Sequence, residues 1–165
     1  GYTVTLNNRE IIEADAVLSA VGVRPRTQLA ADAGIECGRG IKTDRYLRTS
    51  VENVYAIGDC AEVEGNVLVY VAPLMAAARA LAATLTGTPT EVAYPAMPVT
   101  IKTPACPVCV SPVGRDAEGE WTIEADGQDV KALFHSPKGD LLGFALTGQA
   151  VKERMPLTKQ LPAIL

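Results

Sequence analysis

The residues most able to do chemistry in this chain are few and spaced apart. Gly58-Asp59 follows the apolar run Val54-Tyr55-Ala56-Ile57. A glycine lets the backbone approach a ligand that a Cβ would hold away. A carboxylate directly after it, at the carboxyl end of a parallel strand, stands where open α/β sheets take their ligands. Such a group accepts hydrogen bonds from sugar-alcohol or ribose hydroxyls. The same dipeptide also closes ordinary strands in a turn, and the residues alone leave both readings open. Cys106-Pro107-Val108-Cys109 has the C-x-x-C spacing of redox pairs and of half zinc sites. The second half of a zinc site is missing, because Cys37 and Cys60 are far apart and His135 is the single histidine. A redox C-x-x-C normally opens a helix, which lowers a thiolate pKa. This one sits in strand-like sequence, so structural cysteines are expected. Lys102 ends the apolar run Val99-Thr100-Ile101 and is either solvated or turned back to an anionic neighbour. His135 has no catalytic partner pattern, and neither G-x-S-x-G nor a paired-carboxylate motif is present. No catalytic residue and no metal ligand is assigned.

Something must position these groups. With 165 residues, 48% of them hydrophobic, the chain can build one domain or one and a half. A net charge of −4 argues against non-specific nucleic-acid binding. The charge is uneven. Residues 130–165 hold Lys131, Lys138, Lys152, Arg154 and Lys159 against Asp140 and Glu153, and the rest is acidic. No signal peptide and no apolar run of membrane-spanning length is visible, so no membrane role is expected. The four cysteines follow no secreted-protein pattern, which makes a reduced cytoplasmic setting the default.

Along the chain, residues 2–6 and 10–14 read as a hairpin around Asn7-Asn8. A chain that begins inside a hairpin looks like the C-terminal piece of something longer. Residues 16–22 read as a buried parallel strand ending at Gly22, and residues 53–57 as another ending at Gly58. Thr27 is placed to cap a short helix over residues 28–33. Residues 40–44 read as a short edge strand and residues 62–66 as a loop. Pro73 suits the first turn of a helix that runs to Leu85, and its single charge, Arg79, predicts a mostly buried helix. From Val99 the texture changes. Residues 99–102, 108–111, 120–125, 130–135 and 141–146 predict a mainly antiparallel sheet of about five strands. Residues 149–164 are helical in tendency, broken by Pro156 and Pro162. A boundary is expected near residues 94–98. The G-x-G-x-x-G dinucleotide fingerprint is absent, so any cofactor site here is half a site.

Two stretches together resemble the FAD-dependent pyridine nucleotide–disulfide oxidoreductase superfamily. The first is Val17-Leu18-Ser19-Ala20-Val21-Gly22-Val23-Arg24-Pro25-Arg26, similar to the strand that links its NAD domain back to its FAD domain. The second runs from Thr49 to Asp59, with Thr49, Ala56, Gly58 and Asp59 spaced as in that family's second FAD motif. Pro73-Leu74-Met75 and the stretch from Met97 to Pro107 are most similar to the rubredoxin-reducing branch of the bacterial alkane-oxidising system.

The resemblance implies an α/β fold: part of an FAD/NAD(P)-binding Rossmann-like domain over residues 1–95, then a small α+β domain with a mainly antiparallel sheet over residues 96–165. It implies FAD as cofactor and NAD(H) as substrate of a longer parent, with the first FAD motif and the NAD fingerprint upstream of Gly1. Asp59 would bind the FAD ribitol and Gly58 would allow the close approach. Val71 and Ala72 would open the helix that faces the flavin pyrimidine edge, and Lys102 would lie near the flavin. Rubredoxin would be the partner, drawn by Lys152, Arg154 and Lys159. The implied activity is electron transfer from NADH through FAD to rubredoxin, with the isolated fragment inactive. Another flavin-dependent reductase or oxidase, of the ferredoxin- or nitrite-reductase kind, and a non-catalytic docking module are the alternatives. Exposed sheet edges would permit a homodimer.

Overall fold

Alternating apolar and polar residues around a polar turn fold the start of the chain into a hairpin. Its strands are β1 (Tyr2–Thr5) and β2 (Ile11–Ala14), paired antiparallel with Tyr2 opposite Ala14. The computed structural model describes residues 1–114 and 116–165. After β2 the expectation fails. Residues 16–22 form no strand, and Leu18 and Val21 are 91% and 93% exposed. An apolar run saves its backbone hydrogen bonds only beside another strand, and no described strand lies alongside it. A short helix α1 (Gln28–Asp32) follows. Thr27 stands at its N-cap without bonding through its side chain, and Gly34 turns the chain at φ +76.

The parallel pairing expected of this half of the chain exists, but elsewhere. β3 (Ile41–Thr43) pairs in parallel with β4 (Ala61–Val63), a stretch expected to be loop. The 17 residues between them form the crossover that parallel strands need. Residues 53–57 lie in that crossover and are not a strand. Asn53 takes a left-handed φ of +62. The Ala56 amide then bonds the Leu47 carbonyl and the Thr49 amide bonds the Val54 carbonyl. These bonds fold the segment back on itself instead of onto a neighbouring sheet strand. Leu47, itself at φ +66, is thereby driven fully into the core.

Helix α2 (Val71–Leu85) packs its small face inward. Pro73, Ala77 and Ala80 are buried, the two alanines among Leu47, Ala56, Val63, Val92 and Tyr94. The opposite face stays open, with Val71 and Leu85 71% and 64% exposed, so the helix is less buried than its composition predicts.

The second half forms a five-stranded antiparallel sheet in the order β5-β6-β9-β8-β7. The strands are β5 (Val99–Ile101), β6 (Val108–Ser111), β7 (Glu120–Asp126), β8 (Asp129–His135) and β9 (Leu141–Thr147). Register fixes two faces. Thr100, Cys109, Leu146, Lys131 and Glu124 lie in one row across the sheet. This face is covered by Val151 of a 3₁₀ segment (Gly148–Glu153) and Leu157 of α3 (Arg154–Thr158). Phe144, Leu146 and Cys109 are wholly buried there, each large side chain contributing roughly 1.5–3 kcal/mol of burial. Val99, Val110, Ala145, Ala132 and Ile123 form the opposite row, which is apolar and partly open. Pro156 does not break α3. It occupies the first turn, where its missing N–H costs nothing. The tail then returns to the first core, where Tyr94 exchanges backbone bonds with Ile164 and Leu165.

Candidate functional site

Ile57 arrives extended, at φ −139 and ψ 163, and delivers the chain into a 3₁₀ turn at Gly58–Cys60. Gly58 sits at φ +78, and a Cβ on it would lie 3.2 Å from Leu74 Cδ1. The backbone angle favours glycine there, and a Cβ would also crowd the tip of the Leu74 side chain. Asp59 follows on the exposed side of the turn, and its carboxylate makes no ion pair among the described residues. The turn packs on the first turn of α2, and Gly58, Pro73 and Leu74 share the wall of one small hollow.

The head of α2 is chemically open. Its N-cap, Tyr70, is extended and offers no side-chain cap, and its first turn holds no acidic residue. Val71 and Ala72 are exposed. The unpaired N–H groups of a helix start attract negative charge. The structure therefore sets the turn that carries Gly58 and Asp59 against the helix that Val71 and Ala72 open. One side of this site accepts hydrogen bonds through a carboxylate. The other donates them through backbone N–H groups.

Lys102 is not part of that cluster. It lies exposed just beyond β5 and makes no ion pair among the described residues. What links its strand to α2 is a residue the sequence did not single out. The Tyr70 hydroxyl donates to the Met97 carbonyl at 3.4 Å. Burial pushes the Tyr70 phenol above its ordinary pKa, which keeps that proton in place. A cleft of about 420 Å³ opens at this junction, lined by Leu68, Tyr70, Met97, Val99, Val113 and Ile164 among others. The signal available in the sequence was an aromatic residue directly before a helix and an apolar tail. Neither says what it will meet.

Cys109 is fully buried in β6, where its sulfur accepts from Thr100 Oγ1, while Cys106 is half-buried ahead of the strand. All four cysteines are free. His135 ends β8 at a register shift and makes no catalytic pair among the described residues. No cluster of three or more potential metal ligands occurs among the described residues. Lys152, Arg154 and Lys159 are all exposed around α3. The acid among them, Glu153, is held by Lys131 at 2.6 Å. That leaves the three cations without an ion-pair partner among the described residues.

Residues 1–83 match the family described as pyridine nucleotide-disulphide oxidoreductase, and residues 91–161 match a rubredoxin binding C-terminal domain. The chain is 61% identical to rubredoxin-NAD(+) reductase of Alcanivorax borkumensis, covering 100% of itself and 44% of that protein. It is 49% identical to the protein of the same name from Acinetobacter baylyi, over 99% of itself and 42% of the relative. Among solved structures it resembles the ferredoxin reductase for the CYP199A2 system from Rhodopseudomonas palustris, with a TM-score of 0.79 and 25% identity over 97% of this chain and 42% of that one. The chain thus spans less than half the length of these relatives.

Proposed function

We propose a function from one premise: the chain belongs to the pyridine nucleotide-disulphide oxidoreductase family. It is the C-terminal part of a reductase that passes electrons from NADH through FAD to rubredoxin. The observation that carries this is a rubredoxin-binding domain match that follows, in the chain, a helix whose open N-terminus packs on the Gly58-Asp59 turn. FAD, when bound, supplies hydride acceptance and one-electron release. The residues here fit one side of it. Asp59 would hold hydroxyls of the cofactor's sugar-alcohol chain, Gly58 would let that chain come close, and the N–H groups at Val71 and Ala72 would favour negative charge at the ring edge. Lys102 would add a positive charge from the end of β5. Lys152, Arg154 and Lys159 would draw an acidic partner, an effect that salt weakens.

The reading includes a division at residues 95 and 96, supported by two separate buried cores; the two family matches part slightly earlier, between residues 83 and 91. It includes a role in alkane oxidation, supported by the resemblance of residues 97–107, and a cytoplasmic setting, supported by four free cysteines. No described helix is long and apolar enough to cross a membrane. Self-association would run through exposed Val17, Leu18, Val21 and Val23 rather than through β7, whose Glu120 and Asp126 would oppose each other in an antiparallel copy. The flavin site within this chain is partial, so the fragment alone would not oxidise NADH. The full-length protein tests the proposal. NADH oxidation should rise steeply on adding rubredoxin. If ferredoxin stimulates and rubredoxin does not, the second reading, suggested by the ferredoxin reductase likeness, takes its place.

A further inference from the structure

Helix α3 carries a surface feature that the cofactor site does not use. Met155 is 59% exposed, on a helix only five residues long. Beside it runs a groove of about 330 Å³ lined by Pro95, Ala96, Leu161 and Ala163. Pro95 and Ala96 come from the connector between the two cores, while Leu161 and Ala163 come from the returning tail. The tail is held by its backbone bonds to Tyr94, so the groove exists before anything binds. A preformed groove lowers the ordering cost of association. Lys159 lines it, Lys152 and Arg154 are exposed within three residues of Met155 in the chain, and the intervening Glu153 is already occupied by Lys131. In a chain of net charge −4, this is a locally positive rim around an apolar centre.

We propose that the Met155 groove is the docking seat for an acidic electron-carrier protein whose contact face has an apolar centre ringed by carboxylates. This rests on the rubredoxin reading and adds the anchor to it. The rim sets how fast the partner arrives; Met155 in the groove sets how long it stays. Methionine suits that task because its flexible thioether adapts to the surface it meets. A second exposed apolar area of the C-terminal sheet, Trp121 and Ile123 on β7, is ruled out for such a partner by Glu120, Glu124 and Asp126 on the same strand. The groove lies within the span that matches a rubredoxin-binding domain, apart from Ala163.

The test is surface plasmon resonance of the 165-residue chain over immobilised rubredoxin at low and high salt. Met155→Ala should weaken binding about tenfold through faster dissociation, at both salt concentrations. Lys152→Glu with Lys159→Glu should slow association at low salt, and the effect should shrink at high salt. Ile123→Ala should bind as wild type. A Met155→Ala variant within about twofold of wild type overturns the seat, as does a larger loss from Ile123→Ala. Should the wild type ignore rubredoxin but bind an acidic ferredoxin in a Met155-dependent way, the seat stands and the rubredoxin reading falls. Binding to neither carrier overturns the seat as well.

Discussion

Neighbouring residues Gly58 and Asp59 should fail in different ways when replaced. Asp59 is exposed and makes no ion pair among the described residues. Asp59→Ala should therefore change fold stability by no more than about 0.5 kcal/mol. If its carboxylate holds cofactor hydroxyls, it loses charge-assisted hydrogen bonds worth about 1.5–3 kcal/mol. That is about tenfold to a hundredfold in flavin affinity. Gly58→Ala is a different perturbation. It forces a Cβ into φ +78 and to 3.2 Å from Leu74 Cδ1. The backbone angle alone costs about 1–2 kcal/mol, and the crowded Leu74 side-chain tip, at the first turn of α2, must shift as well. Stability and flavin affinity should then fall together. The assay is flavin titration of the full-length protein by fluorescence quenching, beside thermal unfolding of the flavin-free form. Equal flavin affinity in Asp59→Ala and wild type would refute the role given to the carboxylate. A melting temperature lowered as far as in Gly58→Ala would show that Asp59 supports the turn instead.

If Lys102 reaches the flavin as proposed, Lys102→Met in the full-length protein should lower the flavin reduction potential by removing a positive charge near the ring; an unmoved potential places Lys102 away from it. Cys106→Ser should leave rubredoxin reduction unchanged, while Cys109→Ser, in a fully buried position, should cost about 1–3 kcal/mol in urea unfolding without touching the rate of a folded sample. Loss of turnover in a folded Cys106→Ser would revive thiol chemistry. Phe144→Ala should destabilise the C-terminal sheet by about 3–5 kcal/mol, read as a lower urea midpoint. Burial pushes the Asp44 carboxyl up, but hydrogen bonds from the Arg48 side chain and backbone, with the Arg48 charge and the Tyr46 amide, outweigh it and hold the pKa below the ordinary value. A depressed folded pKa gives stability that is present above about pH 4 and is lost as pH falls through the folded value. Asp44→Asn should flatten that acid limb of the stability profile, and an unchanged limb would assign it to other carboxylates.

The C-terminal sheet was legible because its signals are local. Alternating residues separated by Pro, Gly and Asp turns mark each strand, and short connections make neighbours of consecutive strands such as β7, β8 and β9. Residues 16–22 and 53–57 were read as strands for the same local reason, apolar runs ending in glycine, and neither forms one. A fully apolar run records that a segment suits a sheet, not that a sheet stands beside it. In residues 53–57 the deciding contacts come from Leu47 and Thr49, which satisfy the backbone first. Tyr70 and Met155 were invisible in another way. Nothing in their spacing says that one meets the Met97 carbonyl across 27 positions or that the other borders a groove built from two distant segments.

What the sequence determined by itself was residue chemistry that works wherever the chain puts it. It supplied a glycine followed by a carboxylate, an uncharged helix start, a basic tail and a cysteine pair in strand-forming sequence. Only the tertiary structure decided which of these share a site. It set Gly58-Asp59 against the open head of α2, left Lys102 at an exposed strand end, and sealed Cys109 in the core. The reason is physical. Backbone angles and apolar periodicity are written over a few residues, whereas a site is made by the long-range packing that buries Leu47, Val92 and Phe144 and carries every other side chain to its place.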